Sequence, residues 1–188
     1  MAETSRRLSP ERRGRIVDAA RHLILRQGLR ATTMEAIARE AKIAKPTLYG
    51  YFPDKEAVFA AIIQALVDDI RATFGAALEG EGDVAARIGA ALAAKFEVIG
   101  KLLAGSPHAD ELYSEHERSA AAQFAAIEKH IEQAVARELR KAKIAEPEAL
   151  ARLVLASAYG VGRKAGPTEA GPAIRLLVER LVRPEITS

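Results

Sequence analysis

The sequence predicts an all-α protein in two parts, an N-terminal three-helix domain built around a helix-turn-helix and a larger C-terminal helical domain. Three observations predict it. Apolar residues recur at helical spacing along most of the chain. Alanine is very common while Val, Ile, Thr and Tyr are sparse, a balance that favours helix over strand. Residues 32–51 compress two short helical stretches around a four-residue connection.

The elements follow in order. Residues 10–27 place Ile16, Ala19, Ala20, Leu23 and Ile24 on one face of an amphipathic helix that Gly28 ends. Thr32 and Glu35 have capping-box spacing and open a short helix, 33–40, with Met34, Ile37 and Ala38 on one side. The connection AKIA leads to a second short helix near 45–51, with Pro46 at its first position. Asp54 caps the next helix, 54–78. Its two apolar rows, Val58-Ile62-Leu66-Ile70-Phe74 and Phe59-Ile63-Val67, call for two packing neighbours. EGEGD at 79–83 reads as a loop. Helices are expected over 83–104, near 109–117, and over 118–143, 147–165 and 168–183. The domain boundary is set at 53/54, with the first turns of the linking helix, to about 60, going with the N-terminal domain.

Composition limits the functions open to this chain. With no cysteine, disulfides and thiolate metal sites are excluded, and a reducing compartment is expected. No apolar run approaches the roughly 20 residues of a membrane span. The opening MAETSRRLSPERRGR lacks the apolar core of a secretory signal, so a cytoplasmic location without membrane association is expected. The net charge of +3 is unevenly spread: residues 1–60 carry 12 Lys/Arg against 7 Asp/Glu, and the remainder is slightly acidic. The basic end suits a polyanion.

The stretch AKPTLYGYFPDKEAVF concentrates Tyr49, Tyr51 and Phe52 beside Lys45 and Lys55. Placed as the second helix of a helix-turn-helix, it would enter a DNA major groove N-terminus first. The helix dipole and unpaired N–H groups there attract phosphate. Lys45 adds a charge, and both tyrosines carry hydroxyls on rigid arms. Lys55, unfavourable for the dipole at the start of its own helix, gains from a nearby phosphate. Leu48 and Phe52 are read as core.

Residues 12–59 resemble the N-terminal domain of the TetR/AcrR family of bacterial transcriptional repressors. The Ile16-x-x-Ala19-Ala20 helix, Gly28, Thr32-Thr33, Ile37-Ala38, Thr47-Leu48-Tyr49, Tyr51-Phe52 and Lys55-Glu56 carry the likeness. The resemblance implies DNA contacts at Thr33, Lys45, Pro46, Thr47, Tyr49 and Lys55, and the Tyr51 hydroxyl on its rigid arm is a further candidate. Tyr49 and Lys55 would hold phosphates, and Lys45, Pro46 and Thr47 would face bases. It further implies a homodimer, a double-stranded operator as partner and a small apolar or amphipathic effector bound by the C-terminal domain. Release of a repressor from a near-palindromic operator is the expected function. Two positions depart from the family pattern: Lys42 stands where glycine is common, and Gly50 where histidine often is.

Beyond residue 79 the signal is weaker. Phe96, His108, Tyr113, His116 and Tyr159 are the candidate effector contacts. His108 and His116 stand eight apart, not at the i, i+4 spacing of a helical metal pair, so no metal and no cofactor are expected. The last two helices are apolar around most of their circumference, which makes Leu155, Tyr159, Ile174, Leu177 and Leu181 the candidate dimer interface. An architectural DNA-binding protein is the first rival, although its large C-terminal domain would have no use. An enzyme is the second, but the chain has neither a phosphate-binding glycine loop nor a nucleophile elbow.

Overall fold

The structure is a computed structural model of the chain and describes residues 9–109, 121–165 and 169–186. Among these residues there are eight α-helices and no strand. They are α1 (Pro10–Gln27), α2 (Met34–Glu40), α3 (Lys45–Tyr51), α4 (Lys55–Leu78), α5 (Val84–Leu103), α6 (Ala121–Lys141), α7 (Pro147–Lys164) and α8 (Ala170–Val182), followed by a 3-10 turn, Arg183–Glu185. The short helix expected near 109–117 falls almost wholly outside the described residues. No helix among them is long and apolar enough to cross a membrane.

The helices group into two compact units. The first runs to Ala65 and includes the stretch from Gly105; the second holds Leu66–Ala104 and the chain from Ala122. The division therefore cuts α4 at 65/66, later than the sequence-based boundary at 53/54. The apolar rows explain this: Val58, Phe59, Ile62 and Ile63 are buried and count with the first unit, while Val67, Ile70 and Phe74 are buried in the second.

In the first unit the core is made of large side chains. Ile16, Val17, Ala20, Leu23 and Ile24 of α1 are buried, as are Met34, Ile37 and Ala38 of α2, Leu48 of α3 and Phe52 just after it. The loop after α1 has its polar groups paired. Gly28, at φ 84°, donates its N–H to Ile24 O, and its own carbonyl accepts from the Thr32 hydroxyl at 2.7 Å. Buried Thr32 is thus occupied in that turn. Thr33, not Thr32, caps α2, its hydroxyl oxygen accepting from Ala36 N at 3.2 Å. The capping-box assignment to Thr32 is corrected by one residue.

The second unit packs more closely. α5 and α8 approach until a Cβ on Gly89 would stand 3.4 Å from the Cα of Arg175. Val84, Ala85, Ile88, Ala91, Leu92, Ala93 and Ala94 of α5 are buried, against Ile174, Val178 and Val182 of α8 elsewhere in the same core. Ion pairs Glu97–Arg175 (3.0 Å) and Asp83–Arg183 (3.3 Å) flank the packing. Ile174 is fully buried within its own chain, so its side chain is unavailable to a second copy. The interface assignment for Ile174 is corrected. Its i, i+4 partner rows face inward, and Leu176 beside it is 56% exposed instead.

Candidate nucleic-acid interface

The turn between α2 and α3 is a Schellman motif. Ile43 N–H donates to Ala38 O at 3.0 Å, and Lys42 N–H to Arg39 O at 3.1 Å. This geometry puts Lys42 at φ 55°, the left-handed region that glycine would occupy without strain. A lysine there costs roughly 1–2 kcal/mol. The chain therefore keeps the turn and accepts the strain.

α3 then starts at Lys45, with Ala44 as its N-cap and Pro46 second rather than first in the helix. An alanine cap has no side chain to serve the N–H groups of that turn, so a proline there leaves one fewer orphan donor. Leu48 is fully buried and Phe52 nearly so, with the Arg13 guanidinium 5.0 Å above the Phe52 ring. These contacts fix which side of α3 turns outward. Lys45, Pro46, Tyr49 and Gly50 are exposed and Thr47 is half-exposed, so they share the outer face. Thr33 is exposed at the start of α2.

Two of the expected DNA contacts point elsewhere. The Tyr51 hydroxyl accepts from Ser9 N at 3.0 Å and so ties α3 to the N-cap of α1. Lys55 is half-buried, and its ammonium donates to Leu29 O at 2.9 Å, closing the loop after α1. Both side chains hold the three-helix unit together in this structure, a bracing role that the sequence did not show. A cation at the start of α4 is accommodated by a loop carbonyl rather than by a phosphate. Tyr49, only two residues before Tyr51, stays 45% exposed because it lies on the other side of α3.

A residue that the sequence reading treated only as a capping partner belongs to this face. Glu35, in the first turn of α2, pairs with Lys45. The Lys45 ammonium holds the Glu35 carboxyl below the usual carboxylate range, helped by Glu35's own backbone N–H. The hydrogen bond to Glu35, with its negative charge, raises Lys45 in turn. The Lys45 ammonium also stands 5.9 Å from the centre of the Tyr49 ring. Ten residues and a turn separate the two partners, so periodicity could not have paired them.

The C-terminal candidates scatter. His108 belongs to the first unit, where its backbone N–H donates to the Ser106 hydroxyl at 3.2 Å. Phe96 lies in the second unit against Gly162; a Cβ on that glycine would fall 2.1 Å from the ring. Tyr113 and His116 lie outside the described residues. Tyr159 is 49% exposed beside Arg163, which a surface contact can use and an enclosed ligand site cannot. Leu155, Leu177 and Leu181 are half-exposed, and Leu153 and Leu176 more so. Among the described residues no three His, Cys, Asp or Glu side chains gather as a metal site would need. Sequence reasoning missed Lys95, buried on α5 and paired with Glu128 of α6. A lone lysine in an apolar row carries no signal of its own.

Residues 16–62 match the family described as bacterial regulatory proteins, tetR family. The chain is 35% identical over 89 residues to the transcriptional activator FasR of Mycolicibacterium smegmatis, 47% of this chain and 41% of that one. It is 32% identical over 88 residues to the transcriptional repressor KstR2 of Rhodococcus jostii, 47% and 43% respectively. The match thus spans less than half the length of these relatives. A transcriptional regulator from Cytophaga hutchinsonii superposes with a TM-score of 0.74 at 19% identity, over 92% of this chain and 97% of the other, a likeness that speaks for the fold alone. The helix-turn-helix geometry of α2 and α3 falls within the stretch, residues 16–62, that matches the tetR family of bacterial regulatory proteins.

Proposed function

We propose that this chain is a sequence-specific DNA-binding transcriptional regulator that works as a homodimer and is released from its operator by a small apolar or amphipathic molecule. The observation that carries the reading is the outer face of α3. Lys45, Thr47 and Tyr49 project from a short helix braced on its other side by Leu48, Tyr51 and Phe52. A rigid helix with donors on one face suits a major groove, and a dimer sets two such helices about 34–36 Å apart.

The dimer reading rests on the second unit. Leu153, Tyr159 and Leu176 are its exposed large apolar side chains, on α7 and α8. Gly160, between them in sequence, has open space where a Cβ would be. Burial against a second copy would remove this apolar surface from water. The effector reading rests on α5, whose first half is buried while Phe96, Ile99 and Leu103 are half-covered. Repression is the simpler direction, because a dimer seated on its operator excludes other proteins without further contacts. FasR is named an activator and KstR2 a repressor, so both directions occur among its relatives.

Selection of preferred sites from random DNA by the full chain tests this. A near-palindrome with half-sites about one helical turn apart is expected. Binding without any enriched sequence would overturn it. Sedimentation of Leu176→Glu should show monomer where the parent shows dimer, with operator affinity falling in parallel.

A further inference from the structure

The first turn of α2 sets an acid, Glu35, against Lys45 of α3, where a polyanion is expected to dock. Glu35 and Lys45 are bonded to each other although their side chains are 56% and 53% exposed. An ion pair this open contributes little to stability. A carboxylate beside phosphates would also weaken binding to DNA of any sequence. Its placement is nonetheless well defined: Thr33 caps the turn that carries Glu35, and the Lys45 ammonium stands 5.9 Å from the centre of the Tyr49 ring. The result is a donor and an acceptor held side by side on the exposed surface.

The edge of a G·C base pair in the major groove has the complementary order. Guanine offers N7 and O6 as acceptors, and the N4 amino group of cytosine, next to O6, is a donor. Resting on the DNA-binding reading above, we propose that Glu35 is a specificity-determining residue and that the Glu35–Lys45 pair reads one G·C base pair in each half-site. Lys45 Nζ donates to guanine O6 and N7, while a Glu35 carboxylate oxygen accepts from cytosine N4. An A·T pair also sets a donor beside an acceptor. Thymine, however, has only O4 there, flanked by its C5 methyl, so the ammonium loses one acceptor and meets an apolar group. Along phosphates alone the carboxylate finds no donor. Glu35 therefore penalises non-operator DNA and is compensated only where an exocyclic amine faces it. Each partner favours the charged form of the other: Lys45 lowers Glu35, and Glu35 raises Lys45.

The test is parallel site selection with the full-length parent, Glu35→Ala and Lys45→Ala. Affinities are then measured on the parent's selected operator and on one in which the cytosine is N4-methylated, so that a methyl group replaces the groove-facing amine proton. The parent should select G·C at one position per half-site, and both variants should relax that same position. Discrimination there should fall by about 5- to 150-fold, the range for one good bidentate contact. N4-methylation should weaken the parent by a similar factor and leave Glu35→Ala unaffected. Glu35→Ala should also bind non-operator DNA more tightly than the parent does. Unchanged preferred sites in Glu35→Ala, relaxation at different positions in the two variants, or equal sensitivity of parent and Glu35→Ala to N4-methylation would overturn the proposal. A parent that enriches no sequence at all would instead overturn the DNA-binding function itself. Helical circular dichroism and melting temperature confirm that each variant is folded, as the exposed pair leads us to expect.

Discussion

The two units bury their helices by different means. The first surrounds α1–α3 with large side chains, and the buried polar residue among its described residues, Thr32, has its hydroxyl bonded to a loop carbonyl. The second lets helices approach over glycine and alanine, and it takes charge inside. Lys95 is buried against Glu128. Glu138 is buried and accepts from Arg87 (3.3 Å) and Lys141 (2.7 Å). The difference teaches where each unit tolerates change. A core of bulky hydrocarbon loses stability in proportion to the atoms removed, whereas a core with close approaches and buried ions fails at single positions.

The largest effect should come from the buried carboxylate. Glu138→Ala leaves the partly buried Arg87, whose Nε has no partner, without its ionic partner as well. It should cost about 3 kcal/mol in urea unfolding. A loss below about 1 kcal/mol would make Glu138 no different from an exposed ion pair and remove the contrast between the units. Next comes Gly162→Ala, which would drive a methyl group into the Phe96 ring. Overpacking of this kind costs about 1–3 kcal/mol. An unchanged melting temperature would mean that the ring swings aside freely.

The two tyrosines of α3 sharpen the comparison within the first unit. Tyr51→Phe removes the acceptor for Ser9 N and should cost about 1 kcal/mol of stability. Tyr49→Phe should leave stability alone, weaken all operators alike and preserve their ranking. The reverse pattern would exchange their roles. Gly50→Ala is the smallest change. With nothing within 4 Å of the added methyl, it should stabilise the free protein by up to about 1 kcal/mol. A destabilised variant would mean that the backbone at 50 is not relaxed helix.

How much was legible follows from the range over which each signal acts. The bounds of α1–α3, the inward side of α4 and the burial of Leu48 and Phe52 all follow from local spacing and caps, and they match the sequence reading within a residue. The bracing bonds of Tyr51 and Lys55 are not legible in the sequence because their partners, Ser9 and Leu29, are 42 and 26 residues away. Glu35 was passed over for the same reason. Ile174 has the apolar character of an interface residue, but character alone does not say which neighbour covers it. Periodicity records that a face is buried; only the fold records by what.

The strained turn at Lys42 also bears on how this sequence can drift. A lysine codon is one nucleotide change from asparagine, threonine or glutamate. Asparagine is at ease in the left-handed region, while branched threonine is a genuine outlier there. Random mutation at this codon can therefore strip the charge and keep the turn, or spoil the turn at the same stroke. Asparagine is the neutral exit and threonine the closed one. A library of all substitutions at position 42, ranked by retained folding, would trace that divide through the genetic code rather than through hydrophobicity.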